Sequence, residues 1–403
     1  MEMVLQAFSP LRKRPQLLVM AVLNALVMAG VGLVAPILSV YASSFATSTT
    51  MAGMIITLFG IGRLVVNLPA GMLAQRFTHR PLLIAGPAIL VVGSIGAALA
   101  QDFTLLLICR FVQGIGSGIY MTVSAAAMAS YAAPEERGRV MALYQGGIFV
   151  GAGLGPAIGG SLAHHFGLTA PFWAYAAVCA IALIVACVSV DAPEKDNDEE
   201  KAGPDDPGAS FGTRELFRDP LFLLICIVTF GVFFTRTASQ WLIIPLIAHD
   251  RYGLGVDVIG LSLTLLAISN FLTLPITGAL VDRYGARRLT IISTLVMAAS
   301  LMVIAFGNSV AWLWAGMALL GLGGGLNGPA TGAYAAGAVP RKLYGPAMGL
   351  MRTWGDAGFV LGPVLIGLLG DMASAGPAGG LVANAFLLAV SGLAFAFVRA
   401  RRR

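Results

Sequence analysis

The chain has 403 residues, of which 58% are hydrophobic and only 11% charged, with 25 Lys and Arg against 19 Asp and Glu. A soluble domain carries about 25% charged residues, so an ordinary water-soluble protein is excluded and a lipid environment is implied. The net charge of +6 collects in short turns between apolar runs, so nucleic acid is not needed as a partner. Cys109, Cys179, Cys187 and Cys226 lie within those runs without the close spacing of a metal site, and neither a metal nor a disulfide is expected.

Apolar runs of roughly 20 residues, each long enough for a spanning helix, occur at about 17–41, 51–73, 82–100, 104–131, 140–163 and 170–190. They resume at about 220–248, 256–281, 289–307, 310–338, 345–370 and 379–398. The first run reads as a retained span, since it is long, lacks a small-residue cleavage site and is followed by eleven more.

Basic residues mark every second gap. Arg12, Lys13 and Arg14 precede the first run, followed by Arg76 and Arg80, Arg137 and Arg139, then Lys195, Lys201, Arg214 and Arg218. The second half continues with Arg283, Arg287 and Arg288, Arg341 and Lys342, and a C-terminal Arg399, Arg401, Arg402 and Arg403. The alternate gaps carry Arg251 alone. By the positive-inside rule both termini are expected in the cytoplasm, which requires an even number of spans across the inner (plasma) membrane.

Residues 191–219 form the one long polar stretch and read as a solvated cytoplasmic linker. It separates an N-terminal six-helix bundle, 1–190, from a C-terminal one, 220–403. The halves repeat at an offset of 207 positions: Gly71 to Arg76 matches Gly278 to Arg283, Gly114 and Gly116 match Gly321 and Gly323, and Gly151, Gly155 and Pro156 match Gly358, Gly362 and Pro363. With six spans per half the repeats are parallel, about an axis normal to the membrane, an arrangement suited to a transporter with its site near the midplane.

These segments resemble the major facilitator superfamily over essentially the whole chain, and best its twelve-helix drug–proton antiporter branch. Gly71-Met-Leu-Ala-Gln-Arg-Phe-Thr-His-Arg80 is similar to the family's loop between helices 2 and 3, and Gly278-Ala-Leu-Val-Asp-Arg-Tyr-Gly-Ala-Arg-Arg288 to its copy between helices 8 and 9. Arg110-Phe-Val-Gln113-Gly114-Ile-Gly116 resembles the helix 4 motif, and Gly151-Ala-Gly-Leu-Gly155-Pro156-Ala-Ile-Gly159 the helix 5 antiporter motif. The resemblance implies an all-α integral membrane protein of twelve transmembrane helices in two parallel six-helix repeats. It also implies proton-coupled efflux of a small organic molecule by alternating access, one chain working alone, with small-molecule substrate, protons and lipid as partners and no cofactor. No catalytic constellation and no Walker loop are present, so an ion gradient or exchange, rather than ATP, is the expected energy source.

Gly151, Gly155 and Gly159, four apart, form a smooth groove for a neighbouring helix, and Pro156 removes a backbone donor. Packing alone and a role in coupling are both compatible with that pattern. The resemblance implies cytoplasmic gate contacts at Arg76, Arg80, Asp282, Arg283 and Arg287. The first copy departs from the family by carrying Gln75 and Thr78 where an acid and a glycine are usual. Gln75 cannot make the charge-assisted contact available to Asp282 and Arg283. Gly321 to Gly328 lies inside an apolar run with no strand before it, so helix packing is expected there, not a nucleotide loop.

The polar residues that do not belong in lipid are Asn24, Arg63, Arg110, Arg236, Asn270, Asn327, Arg352 and Asp356. A mid-helix Arg costs about 2.5–3.5 kcal/mol on the mildest insertion scale, so each should face water or a partner. Gln113, Tyr120, Gln240, Trp241 and Tyr334 lie in helices that the resemblance assigns to the cavity. The candidate substrate cavity therefore comprises these five with Asn24, Arg63, Arg110, Arg236, Asn270, Asn327 and Arg352. Asp356 is the candidate proton carrier.

Arg352 and Asp356 are four apart and can meet on one helix face, either as a static pair or as a proton switch. Four arginines against one carboxylate favour an anionic or zwitterionic substrate, since guanidinium binds carboxylate or phosphate bidentately. An interhelical hydrogen bond is the alternative for any one of them. Organic-anion uptake or exchange without proton coupling, and a non-transporting receptor or lipid-handling protein, are the rival functions.

Overall fold

A computed structural model describes residues 15–45, 48–76, 79–130, 137–189, 216, 219–339, 344–372 and 376–398. All but two residues of the expected linker 191–219 lie outside this set, as do the basic groups at 12–14, 341–342 and 399–403. Among the described residues every regular element is a helix: α1 Pro15–Val34, α2 Leu38–Ser43, α3 Thr49–Arg76, α4 His79–Ala98, α5 Phe103–Ser130, α6 Arg137–Phe166 and α7 Ala170–Ser189. The second half holds α8 Pro220–Phe234, a π-helical segment Thr235–Ile243, α9 Ile244–Asp250, α10 Val256–Tyr284, α11 Ala286–Phe306, α12 Val310–Ala338, α13 Tyr344–Asp371 and α14 Gly376–Phe397. Twelve helices among the described residues are long and apolar enough to cross a membrane.

Two of the expected spans are not single α-helices. The run expected at 17–41 breaks after Val34, where Ala35 and Ile37 donate to carbonyls only three residues back, at Gly32 and Val34. Pro36 has no N–H to continue the ladder, so the helix stops and restarts as α2. The seventh run starts with a strong cap: the Asp219 carboxylate accepts from Leu221 N at 2.9 Å, with Pro220 opening the helix. It then widens into the π segment, within which the Ile244 N–H reaches back five residues to Ser239 O.

Two compact units divide the chain. One contains Met1–Ala46, Leu58–Glu194 and Gly255–Thr264, and the other Thr47–Thr57, Lys195–Leu254 and Leu265–Arg403. Within the first, α1 packs on α6 and α7, and α4 on α5 and α7. Within the second, α8 packs on α13 and α14, and α11 on α12 and α14. The pairings are the same in both, so the repeat read in the sequence is a repeat of packing. Large apolar side chains such as Leu68, Val92, Phe386 and Phe397 stand exposed on the helices, as an acyl-chain surface requires.

Candidate functional site

In the first unit the glycines of α6 meet the backbone of α1. A Cβ on Gly151 would collide with Ala25 O, one on Gly155 would lie 2.6 Å from Gly32 Cα, and one on Gly159 would strike Leu33 O. The same helix is opened at Pro156. There the Thr264 hydroxyl, at the start of α10, accepts from Ala157 N at 3.1 Å and donates to Gly153 O at 3.1 Å. Those two backbone groups would otherwise bond each other, so a side chain is inserted into the ladder, a recognised cause of bending. The motif thus carries both a close approach and a bend.

The arginine motif of α5 is interior. Arg110 is 1% exposed, its Nη1 donates to Gln113 Oε1 at 2.7 Å, and Gln113 Nε2 donates to Ser94 Oγ at 2.9 Å. The guanidinium lies 4.6 Å from the Phe59 ring centroid, on α3. Asn24 and Tyr120 are likewise buried, and neither finds a side-chain hydrogen-bond partner among the described residues. Arg63 is half-buried on α3. Of the residues expected to line a cavity in this half, Arg110 and Gln113 are thus joined directly to each other in the interior.

In the second unit the π segment carries Arg236, Gln240 and Trp241, all half-buried. The Arg236 guanidinium sits 5.8 Å from the Trp241 ring centroid, and that ring meets Phe359 edge-on at 5.7 Å. Arg352 Nε lies 3.5 Å from Asp356 Oδ2, with the arginine side chain 57% exposed and the aspartate 17%. Arg236 is within electrostatic reach of Arg352. The cluster therefore combines two guanidiniums, one carboxylate and an aromatic face, a combination that suits an aromatic or aliphatic acid.

Other expected cavity residues have different surroundings. Asn327 is buried and donates to Ser293 Oγ and Thr294 Oγ1, both at 2.9 Å, which ties α12 to α11. Tyr334 stacks edge-on against Phe395 at 4.8 Å. Asn270 is half-buried and its carbonyl accepts from Thr273 Oγ1 at 2.8 Å.

Sequence reasoning missed Asn384, on α14. Its Nδ2 donates to Thr235 Oγ1 at 3.1 Å and to Ser239 Oγ at 2.6 Å, while Thr235 Oγ1 donates to Gly231 O at 2.8 Å. It is buried, and it braces the turn from which Arg236 and Gln240 project. A lone Asn in an apolar span was the available signal. Asn384→Ala should cost about 1–3 kcal/mol by removing the donor that the buried Thr235 and Ser239 hydroxyls both accept. Thermal unfolding of the purified variant checks this, and a midpoint equal to wild type would show that the brace contributes nothing.

Two of the expected gate arginines, Arg80 and Arg287, cap helix ends. Arg80 Nη2 donates to Cys187 O, at the end of α7, at 2.9 Å. Its repeat equivalent Arg287 donates to Phe395 O at 2.8 Å, to Ala396 O and to Val398 O, at the end of α14. Cations there complement unpaired terminal carbonyls. Asp282 and Arg283 are exposed, with Arg283 near the Tyr284 ring, and the Arg76 side chain lies outside the described set.

The chain belongs to the Major Facilitator Superfamily, whose family model matches residues 20–242 and 232–403. It is a multi-pass membrane transporter, not an enzyme. An uncharacterized MFS-type transporter of Methanocaldococcus jannaschii is 24% identical over 345 residues, 86% of this chain and 88% of that protein. The multi-drug resistance efflux pump PmrA of Streptococcus pneumoniae is 24% identical over 350 residues, 85% of this chain and 86% of the pump. The human synaptic vesicular amine transporter is 28% identical over 257 residues, 62% of this chain but only 47% of its own length. Among solved structures, an inward-facing bacterial homolog of the human lysosomal transporter Spinster matches with a TM-score of 0.77 at 16% identity, covering 94% of this chain and 95% of that one. At that identity the match concerns the fold alone.

Proposed function

We propose that this transporter exports a small organic molecule against proton entry by alternating access, with anionic or zwitterionic substrates preferred. It works as a multi-pass protein of the inner membrane with both termini in the cytoplasm. The observation that carries the reading is the Arg236, Trp241, Arg352 and Asp356 cluster of the second unit. Its net positive charge and aromatic face fit a carboxylate attached to an apolar body, and its single carboxylate is a natural proton carrier. Similarity to a multi-drug efflux pump supports export.

The test is flux in proteoliposomes under an imposed pH gradient, with matched acid, neutral and amine analogues of one aromatic scaffold. Gradient-driven movement of the acid supports the reading. Transport indifferent to the gradient would favour anion exchange, a second reading supported by the existing Arg352–Asp356 pair. Driven movement of the amine alone would refute the anion preference.

Arg236→Ala should weaken binding of the acid about tenfold more than that of the neutral analogue, the usual gap between a charged and a neutral hydrogen bond. Equal losses for the two would assign Arg236 a packing role.

A further inference from the structure

Two seams built on one pattern end in different chemistry. In the first unit the opening turns of α10 lie against α6, where Thr264 Oγ1 donates to Gly153 O and a Cβ on Gly260 would strike Pro156 O. In the second unit the opening turns of α3 lie against α13 in the same register. There Thr57 Oγ1 donates to Val360 O at 2.8 Å, and a Cβ on Gly53 would lie 2.5 Å from Pro363 O. Thr57 and Thr264, Gly53 and Gly260, and Pro156 and Pro363 are each related by the 207-position offset. The seams are therefore copies of each other up to their last turn.

At that turn the copies diverge. The Asp371 carboxylate closes the α3 seam by accepting from Thr49 N at 2.8 Å, Thr50 N at 3.0 Å and Thr50 Oγ1 at 2.5 Å. Amide and hydroxyl donors of this kind do not titrate between about pH 5 and 8. By the same offset His164 stands for Asp371 and Asp257 for Thr50, so the acid sits on α10 instead and an imidazole faces it. His164 Nδ1 lies 3.6 Å from Asp257 Oδ1, too far for a hydrogen bond but within reach of an ion pair once the ring is protonated. Gly255 leaves the carboxylate its place, since a Cβ there would lie 2.5 Å from Oδ1. The two side chains are 53% and 35% exposed, so surrounding water exchanges protons with them freely.

The neighbouring charges are mostly committed elsewhere. His165 is turned to its own helix, its Nδ1 donating to Ser161 O at 2.9 Å, with its ring 5.0 Å from that of His164. Asp102, at the start of α5, accepts from Leu105 N at 2.8 Å, and Arg110 of α5 is bonded to Gln113 in the interior. The other helices packed on α6, α1 and α7, carry no Asp, Glu, Lys, Arg or His. Just before α10 in the chain, Arg251 donates to Ala305 O, His249 Nδ1 donates to Leu254 O, and Asp250 is exposed.

We propose that His164 and Asp257 form a proton-operated latch, which holds the first turns of α10 against the end of α6 when the ring is charged and releases them when it is neutral. The seam closed by Asp371 is the fixed copy and ignores pH over the same range. The proton taken up here is separate from the one assigned to Asp356, and the latch requires nothing of the cargo. His164 lies at the end of α6 opposite Arg137 and Arg139, so the latch reads the acidity of the compartment on that face. An exposed ion pair shifts an equilibrium by no more than about fivefold, which makes this a bias on opening and not a lock.

The experiment is amide hydrogen exchange of the purified full-length protein at about pH 5.5 and about pH 7.5, on either side of the histidine range, with rates corrected for the intrinsic effect of pH. Exchange is read at Ile259–Thr264 and, as an internal control, at Ala52–Thr57. The first amide of each segment bonds four residues back, to Gly255 O and to Ser48 O, both at 3.0 Å. The α10 segment is expected to open about two- to fivefold less often at the lower pH, and the α3 segment equally at both. Asp257→Asn and His164→Gln should each erase the difference, while His164→Arg, charged throughout, should give the low-pH protection at both values. Equal protection of the wild-type α10 segment at the two pH values would overturn the proposal, as would a difference that survives Asp257→Asn. A matching difference in the α3 segment would overturn it too, by assigning the response to the whole protein.

Discussion

Asp356→Asn is expected to abolish uphill transport while sparing binding and exchange. Asp356 is the one carboxylate among the eight polar residues singled out within the apolar runs, and its side chain is 17% exposed beside a largely exposed Arg352. Protonation would remove the attraction that holds Arg352, leaving the guanidinium available to substrate. Asn mimics the protonated state permanently and cannot return the proton. One proton coupled across one pH unit sustains about a tenfold substrate gradient, by the ordinary equivalence of 1.4 kcal/mol and a factor of ten. In the variant that gradient should collapse to none, while counterflow between two equal pools continues. Accumulation undiminished under a pH gradient would remove Asp356 as the carrier.

The second large effect concerns packing. In an ordinary helix Gly→Ala gains about 0.5–1 kcal/mol through the unfolded chain. At Gly151 and Gly159 the sign should reverse, because the new methyl meets Ala25 O or Leu33 O, backbone atoms of α1 that cannot step aside alone. Overpacking of this kind costs about 1–3 kcal/mol or more. Gly146, in the same helix, has nothing within 4 Å of an added Cβ, so Gly146→Ala serves as the control and should be neutral or stabilising. Unfolding midpoints of the three variants decide the matter. A Gly159→Ala protein as stable as wild type would mean that α1 and α6 do not approach as closely as described.

Much of the architecture was legible because lipid imposes simple rules on sequence. Spans must be long and apolar, and their basic flanks alternate. The 207-residue offset foretold contacts as well as motifs: Gly114 abuts Phe59 O and Gly321 abuts Leu266 O, each pair related by that same offset. Arg80 and Arg287 were singled out as gate residues, and each caps the end of a helix in its own unit. Burial was less legible, since a polar residue in an apolar run signals only that it needs a partner. For Asn327 the partners are hydroxyls of α11, and for Arg110 the first is Gln113, three residues on. Asn384 escaped notice because its role depends on two hydroxyls nearly 150 positions earlier, Thr235 and Ser239. The π segment left no trace in the pattern, because an apolar run reads the same whether its ladder closes over four residues or five.

That wider ladder makes the seventh span tolerant of shortening. Closing each ring over five residues instead of four stores one amino acid more per turn than an α-helix needs. Deleting a single position between Thr235 and Ile243 would let the stretch relax to α-geometry without displacing either flank. Excisions elsewhere in a span would instead rotate everything downstream by about 100°. The cost of such an excision would fall on the aim of Arg236 and Trp241, and the signature would be an intact, well-expressed protein that no longer recognises its cargo.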